Sequence, residues 1–296
     1  MRVNDLIGRW SGEGIVILDG AMGTELERRG LETRLPLWSA WGLLKAPQVV
    51  RAIHREYVEA GADIITANTF RTHRRSLAAA GMGDRAEELT RLAFELAAGA
   101  RDEVGADVLI AGSMAPLEDC YHPERVPSPE RLRAEHQEIA ENLVKAGVDL
   151  LLLETMGTLE EMDAASRAAC STGIPFIVSA IAREDGELLG GQSLAEIVRL
   201  LEPLDPLALM VNCGNHRVVS AALGKLLAAK PTVPVGAYAN MGRPAEGTGW
   251  SFTDELSTGD YAEVAREWVR MGASVVGGCC GTTPAHIQAL AAALKK

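Results

Sequence analysis

Asp149-Leu150-Leu151-Leu152-Leu153-Glu154 is a run of four leucines between two acids. Successive side chains of a strand point to opposite faces, so a strand with one wet face alternates apolar and polar residues. This run does not alternate. Both of its faces are therefore buried, as in a parallel sheet covered by helices. Seven further Val-, Ile- and Leu-rich runs accompany it: Ile15 to Asp19, Asp63 to Asn68, Val108 to Gly112, Phe176 to Ala180, Leu207 to Cys213, Val235 to Asn240 and Ser274 to Gly278.

Segments with helical spacing separate the runs. Val49, Ile53 and Tyr57 share a face, and Ser128-Pro129 offers a cap and a first-turn proline ahead of the stripe Leu132, His136, Ile139 and Leu143. Thr158 and Glu161 have capping-box spacing, and Thr283-Pro284 opens a last helix with Ile287, Leu290 and Leu294 on its buried side. Gly61, Gly105, Gly147, Gly173 and Gly272 each precede a strand run, where a helix C-terminus favours glycine. Eight strands alternating with helices predict an α/β chain closed as a single-domain (β/α)8 TIM barrel over residues 1–296, with 1–14 as an N-terminal extension. A doubly wound sheet is the alternative, but no GxGxxG follows the first run and no GxxxxGK[ST] occurs, so its usual nucleotide ligands lack support.

The 296 residues are 47% hydrophobic and carry a net charge of −11, which suits a large apolar core and gives no electrostatic footprint for nucleic acid or an anionic membrane. A small-molecule partner is expected. Met1 to Gly14 holds Asp5, Arg9 and Glu13 and lacks the apolar centre of a secretory signal. Residues 271–294 contain no Lys, Arg, Asp or Glu, yet Gly277-Gly278, Thr282-Thr283-Pro284, His286 and Gln288 interrupt them, unlike a membrane span. A cytoplasmic location follows, where cysteines 120, 170, 213, 279 and 280 stay reduced and point to metal or catalysis before disulfides.

In a barrel of this kind the active site lies at the C-terminal strand ends. The polar residues there are Asp19-Gly20, Asn68, Ser113, Glu154-Thr155, Cys213, Asn240 and Cys279-Cys280. A catalytic zinc takes three protein ligands, with thiolate sulfur at about 2.3 Å, and keeps one position open. Cys213, Cys279 and Cys280 supply that number. Cys279 and Cys280 can reach one ion only where a strand has ended and the backbone turns, which Gly277, Gly278 and Gly281 permit. Three buried structural thiols are the other reading, but it gives no reason for sulfurs and acids to gather at strand ends. Cys120 reads as a loop thiol, Cys170 as a helix-core residue, and the histidines show no ligand-like pairing.

Leu18-Asp19-Gly20-Ala21-Met22-Gly23-Thr24, Glu59-Ala60-Gly61-Ala62-Asp63, Thr66-Ala67-Asn68-Thr69-Phe70, Leu152-Leu153-Glu154-Thr155, Val211-Asn212-Cys213 and Gly277 to Gly281 with Thr282-Thr283-Pro284 follow one another in an order and spacing that resembles, nearly end to end, the zinc-dependent homocysteine S-methyltransferase family. The resemblance implies a barrel that binds homocysteine and methylates its sulfur to give methionine. It places Zn2+ on Cys213, Cys279 and Cys280 and the substrate ammonium on Glu154. The amino acid end falls to Asp19, Gly20, Ala21, Met22, Gly23 and Thr24, with Asn68 and Asn240 beside it. Tyr238-Ala239-Asn240 stands where the family has Tyr-Pro-Asn, and Leu37-Trp38-Ser39-Ala40 resembles the branch that uses S-methylmethionine.

The chemistry agrees with that resemblance. A free thiol has a pKa of about 8.5 and only its thiolate is a good nucleophile; zinc deprotonates a coordinating thiol outright. Zinc with three thiolates has one net negative charge, and with a fourth it has two, so the centre favours alkyl transfer over hydrolysis. The nucleophile is then the substrate's own thiolate, with no separate protein nucleophile. Glu154 suits an α-ammonium group, and the loop after the first strand offers backbone N–H groups to a carboxylate. The expected donor is an onium compound: S-methylmethionine, S-adenosylmethionine or betaine. Segments 118–130, 182–191 and 241–258 have loop composition and are expected to close over the reaction, with Trp38, Trp41, Phe70 and Trp250 offering aromatic faces to the donor. The alternatives are the methyl-accepting component of a corrinoid-dependent system, a methyltransferase of another small thiol, or a zinc store without turnover.

Overall fold

The computed structural model describes residues 3, 5, 8, 14–244, 250–251 and 256–295. The expected runs become the strands β1 (Val16–Ile17), β2 (Ile64–Ala67), β3 (Leu109–Met114), β4 (Leu150–Met156), β5 (Phe176–Ile181), β6 (Ala208–Asn215), β7 (Val235–Asn240) and β8 (Val275–Gly278). They form one 8-stranded parallel sheet in the order β1-β8-β7-β6-β5-β4-β3-β2. Its two ends meet through a parallel bridge of Leu18 with Ile64, and Asp63 N donates to Ile17 O at 2.7 Å while Asp19 N donates to Ile64 O at 3.0 Å. The sheet is thus a closed barrel. Of the expected N-terminal extension, only residues 3, 5, 8 and 14 are among those described.

The two faces that the leucine run demands are both present. Val16, Leu18, Ile64, Leu109, Leu150, Leu152, Ile177, Met210 and Val275 point inward and fill the barrel. Ile17, Ile65, Ile110, Leu151, Leu153, Val178, Leu209 and Val276 point outward against the helices. The helices are α1 (Gly23–Arg28), α2 (Trp41–Lys45), α3 (Pro47–Glu59), α4 (Arg74–Ala79), α5 (Ala86–Val104), α6 (Pro129–Ala146), α7 (Leu159–Ser171), α8 (Leu194–Leu201), α9 (His216–Ala228), α10 (Thr258–Met271) and α11 (Pro284–Leu294). A short antiparallel pair, Arg243–Pro244 with Trp250–Ser251, follows β7.

Helix ends follow the local chemistry, with informative exceptions. The five expected glycines all take positive φ, where an L side chain would be strained. Thr158 caps α7 by accepting from Glu161 N at 3.3 Å. Glu161 does not complete the box: its buried carboxylate accepts from Leu117 N at 2.8 Å and meets His136 Nε2 at 3.2 Å, holding the loop after β3. Ser128 has cap geometry before Pro129 but makes no side-chain cap bond. Val50 joins Ile53 and Tyr57 in the core while Val49 sits at the rim of that stripe, and Cys170, expected in a helix core, is exposed beside the buried Ala169.

Two aromatic hydroxyls carry the helical layer to the strand tops. Tyr57 of α3 donates to Ala21 O at 2.8 Å, and Tyr261 of α10 donates to Gly277 O at 2.8 Å and accepts from Ala239 N at 3.0 Å. Gly236 of β7 faces the barrel interior, where an added Cβ would stand 2.6 Å from Val275 O and 2.7 Å from Met210 Cε. Gly236→Ala should therefore destabilise the fold by about 1–3 kcal/mol through overpacking, read as a lowered urea midpoint with an unchanged slope.

Candidate functional site

Beyond β8 the chain turns at Gly278 to Gly281, and the turn is gripped from both sides. Cys279 N donates to Ala239 O at 3.0 Å and Met241 N to Cys280 O at 2.7 Å; on the other flank, Gly278 N donates to Asp19 O at 3.0 Å and Gly281 N to Thr24 Oγ1 at 2.8 Å. Gly281 has φ +84°, and a Cβ there would lie 1.9 Å from Met241 O. Thr282 Oγ1 donates to Cys279 O at 2.7 Å and closes the turn. Both vicinal sulfurs consequently face the barrel mouth.

The third sulfur arrives from β6. Cys213 is left-handed at φ +58°, and the register with β7 shifts between Asn212 and Asn215, so the backbone re-aims the side chain at the end of the strand. The Cys213, Cys279 and Cys280 sulfurs lie within 4.8 Å of one another. Among the described residues this is the group of Cys, His, Asp and Glu ligands that could hold a metal ion. Contact with Cys279 and burial push the Cys213 thiol well above its ordinary range, so joint deprotonation of the sulfurs calls for a cation between them.

β4 repeats the device. Its register with β5 shifts between Leu153 and Met156, and Thr155 is left-handed at φ +59°. Asn212 Oδ1 accepts from Thr155 N at 3.2 Å and Ser179 Oγ at 2.8 Å, joining the bent ends of β4 and β6. Glu154 accepts from Ser113 Oγ and, at 3.4 Å, from Tyr238 OH; burial raises its pKa. Across the mouth, Asp19 accepts from Thr66 N at 2.7 Å and Thr66 Oγ1 at 2.9 Å. Burial pushes the Asp19 carboxyl up to about 8 despite those bonds.

These groups line one cavity of about 490 Å³. Asp19, Gly20, Ala21, Met22, Gly23, Asn68, Glu154 and the three cysteines all reach it. Thr24 and Asn240 stand behind it: Thr24 holds the turn at Gly281, and Asn240 Nδ2 approaches Cys213 Sγ at 3.8 Å. Asn68 Nδ2 donates to Ser39 O at 2.9 Å, while its buried Oδ1 has no partner among the described residues. Trp38 and Phe70 line the cavity. Trp41 instead packs on the surface, with Lys45 over its ring at 4.5 Å. The Trp250 side chain lies outside the described residues, as does much of segment 241–258. Of segment 118–130, Asp119, Cys120 and Tyr121 reach the cavity; segment 182–191 does not line it.

Several cavity residues escaped the sequence reading, Thr33, Arg34 and Leu35 at the rim and two polar groups deeper in. Tyr121 brings its hydroxyl 3.2 Å from Cys213 Sγ. Arg71, one residue beyond the Thr66 to Phe70 stretch, is 5% exposed and faces the cavity. The available signal was a charged residue just past a strand end.

Fold and cluster together define a class: β/α barrels whose mouth gathers cysteine sulfurs and carboxylates. Residues 16–294 match the family model described as homocysteine S-methyltransferase, and the chain belongs to that family. It is 33% identical over 299 residues to homocysteine S-methyltransferase of Escherichia coli K12, with 95% of each chain covered. It is 29% identical to homocysteine S-methyltransferase 2 of Zea mays over 99% of this chain and 94% of the relative. The crystal structure of the homocysteine methyltransferase MmuM of Escherichia coli in its metallated form superposes with a TM-score of 0.82 at 31% identity, covering 94% of this chain and 96% of that one.

Asp19 supplies a pH test. Its folded pKa of about 8 exceeds the ordinary 3.8, so between those values the folded chain keeps a proton that the unfolded chain has lost. Stability of the ligand-free protein must then fall as pH rises through that window. Urea midpoints measured from pH 5 to pH 8 should decline in the wild type and decline less in Asp19→Asn; parallel profiles would mean that Asp19 ionises normally.

Proposed function

We propose that this protein transfers a methyl group from an onium donor to the sulfur of homocysteine, giving methionine, with Zn2+ held by Cys213, Cys279 and Cys280. The observation that carries this is three sulfurs within 4.8 Å of one another in the same cavity as the buried Asp19 and half-buried Glu154 carboxylates. The residues fit the ion: tetrahedral Zn–S bonds of about 2.3 Å put ligand sulfurs roughly 3.8 Å apart, inside the observed limit. Zinc, when bound, supplies the charge that keeps a fourth sulfur deprotonated near neutral pH.

The chain's own residues do the rest. Glu154 and Asp19 receive the α-ammonium of homocysteine, whose charge offsets the burial that raises both carboxyls. Gly20 to Gly23 bring backbone N–H groups to its carboxylate, and the unpartnered Asn68 Oδ1 is available to a ligand N–H. The substrate thiolate then attacks the donor methyl carbon; a carbon–sulfur bond forms, and the bond from that carbon to the onium centre breaks and leaves its electron pair there. Trp38 and Phe70 keep the path apolar and exclude water. S-methylmethionine, S-adenosylmethionine and betaine are the donors considered, and the relationship to S-methylmethionine-using sequences at Leu37 to Ala40 favours the first.

The whole chain acts in this reading as one homocysteine-binding barrel. Among the described residues no helix is long and apolar enough to cross a membrane, and the free state of all five cysteines supports a cytoplasmic setting.

The test is methionine formation with each purified donor, alongside metal content. The wild type should hold about one zinc per chain and turn over with one of the three. Cys279→Ser should lose most of that zinc and reduce turnover at least about 100-fold, with the fold intact by circular dichroism. Zinc without turnover under any donor would leave a metal-storing barrel in its place. Glu154→Gln should raise KM for homocysteine by roughly 10- to 100-fold, the worth of one charge-assisted hydrogen bond, and leave zinc content unchanged.

A further inference from the structure

The cavity contains a cation that the proposed chemistry does not use. Arg71 follows β2 and turns into the cavity at 5% exposure. Its Nη1 donates to two backbone carbonyls of the loop after β3, Pro116 O at 3.3 Å and Glu118 O at 3.1 Å. Its Nε is buried without a hydrogen-bond partner among the described residues, and no carboxylate oxygen there lies within the 4.0 Å of an ion pair. The guanidinium also sits 5.1 Å from the centre of the Phe70 ring. A buried guanidinium has five donors and cannot shed its proton, so leaving part of it unpaired is costly. Phe70 and the two carbonyls fix its orientation. They do not neutralise its charge.

Its position separates it from the acid pair. The acids that act most strongly on Arg71 are Asp119 and Glu118 of the loop after β3 and Glu161 in the first turn of α7, and neither Asp19 nor Glu154 is among them; Glu154 acts instead on Asp19 and on Cys279. An α-amino acid carries its carboxylate one carbon away from its ammonium. A ligand whose ammonium sits between Asp19 and Glu154 and whose carboxylate meets the Gly20 to Gly23 backbone leaves Arg71, in the same cavity, to serve a second molecule. Every onium donor considered above carries a carboxylate.

We propose that Arg71 is the donor-specificity residue, binding the carboxylate of the onium co-substrate and so orienting its methyl group toward the sulfur cluster. This rests on the methyl-transfer reading, and it adds a selectivity: an onium compound without a free carboxylate binds poorly. Arg71 touches no bond that forms or breaks; its effect is on donor affinity.

Calorimetric titration of the zinc-loaded protein in the presence of homocysteine tests this, using S-methylmethionine, betaine and S-adenosylmethionine, each against its primary carboxamide. The donor that binds should do so about 10- to 100-fold more tightly than its amide, the range of a charge-assisted hydrogen bond. Arg71→Met should abolish that preference while homocysteine affinity stays within about twofold, and Arg71→Lys should restore part of it, because a point charge replaces the fork. If Arg71→Met does not fold, the wild-type preference and the Arg71→Lys titration decide alone. Equal affinity for acid and amide overturns the assignment, as does a loss falling on homocysteine or equally on acid and amide, or the absence of binding by all three donors. The methionine assay run in parallel separates the two claims: a carboxylate preference without turnover removes the methyl-transfer reading and leaves Arg71 as a carboxylate anchor.

Discussion

Consecutive residues of a strand cannot aim at one point, because the pleat sends them to opposite faces. The site exists because the chain escapes that constraint at Gly278 to Gly281, where the turn is fixed by main-chain bonds to Ala239 and Met241 on one side and by Asp19 O and Thr24 Oγ1 on the other. Cys279 and Cys280 are held by main-chain bonds and the Thr282 hydroxyl, while the long Arg28 side chain reaches the turn only at Gly281 O, 3.5 Å away. The strands on either side of β8 anchor the turn, β7 through Ala239 and the following Met241 and β1 through the following Asp19, which ties assembly of the sulfur cluster to the pairing of β8 with both of its neighbours.

The remaining site groups are reached by a related device. β4 and β6 each lose register at their C-terminal ends, and each places a non-glycine residue, Thr155 or Cys213, in the left-handed region. Such residues cost of order 1 kcal/mol or more each, a strain offset by the hydrogen bonds that Asn212 of β6 accepts from Thr155 N of β4 and Ser179 Oγ of β5. The carboxylates sit on the same rim and carry a second kind of stress. The buried Asp19 and half-buried Glu154 lie near each other with no cationic side chain paired to either among the described residues, and a ligand that brings positive charge relieves them. The cavity is thus arranged around charges that the protein alone does not balance.

Much of this was legible in the residues. Unbroken apolar runs such as Leu150 to Leu153 announce strands buried on both faces, and the run-ending acids and cysteines mark the mouth. Strand boundaries were less legible: β6 extends to Asn215 rather than ending at Cys213, because the register shift lets the chain rejoin β7 through Asn240. Long-range competition was not legible either. Glu161 has the spacing of a capping residue, yet a distant N–H at Leu117 claims its carboxylate. Arg71 and Tyr121 come from loops, where no periodicity reports direction, and only the folded barrel brings them to the cavity. Cys170 shows the opposite limit, since one step of a helix separates it from the buried Ala169.

The contact between Gly281 and the Met241 carbonyl also bears on how such a sequence can drift. With 1.9 Å between that oxygen and any Cβ at 281, no single replacement there is tolerated while the chain after β7 keeps its path. Descendants of this protein that alter either segment must alter the other in step. The two stretches, forty residues apart, behave as a single heritable unit.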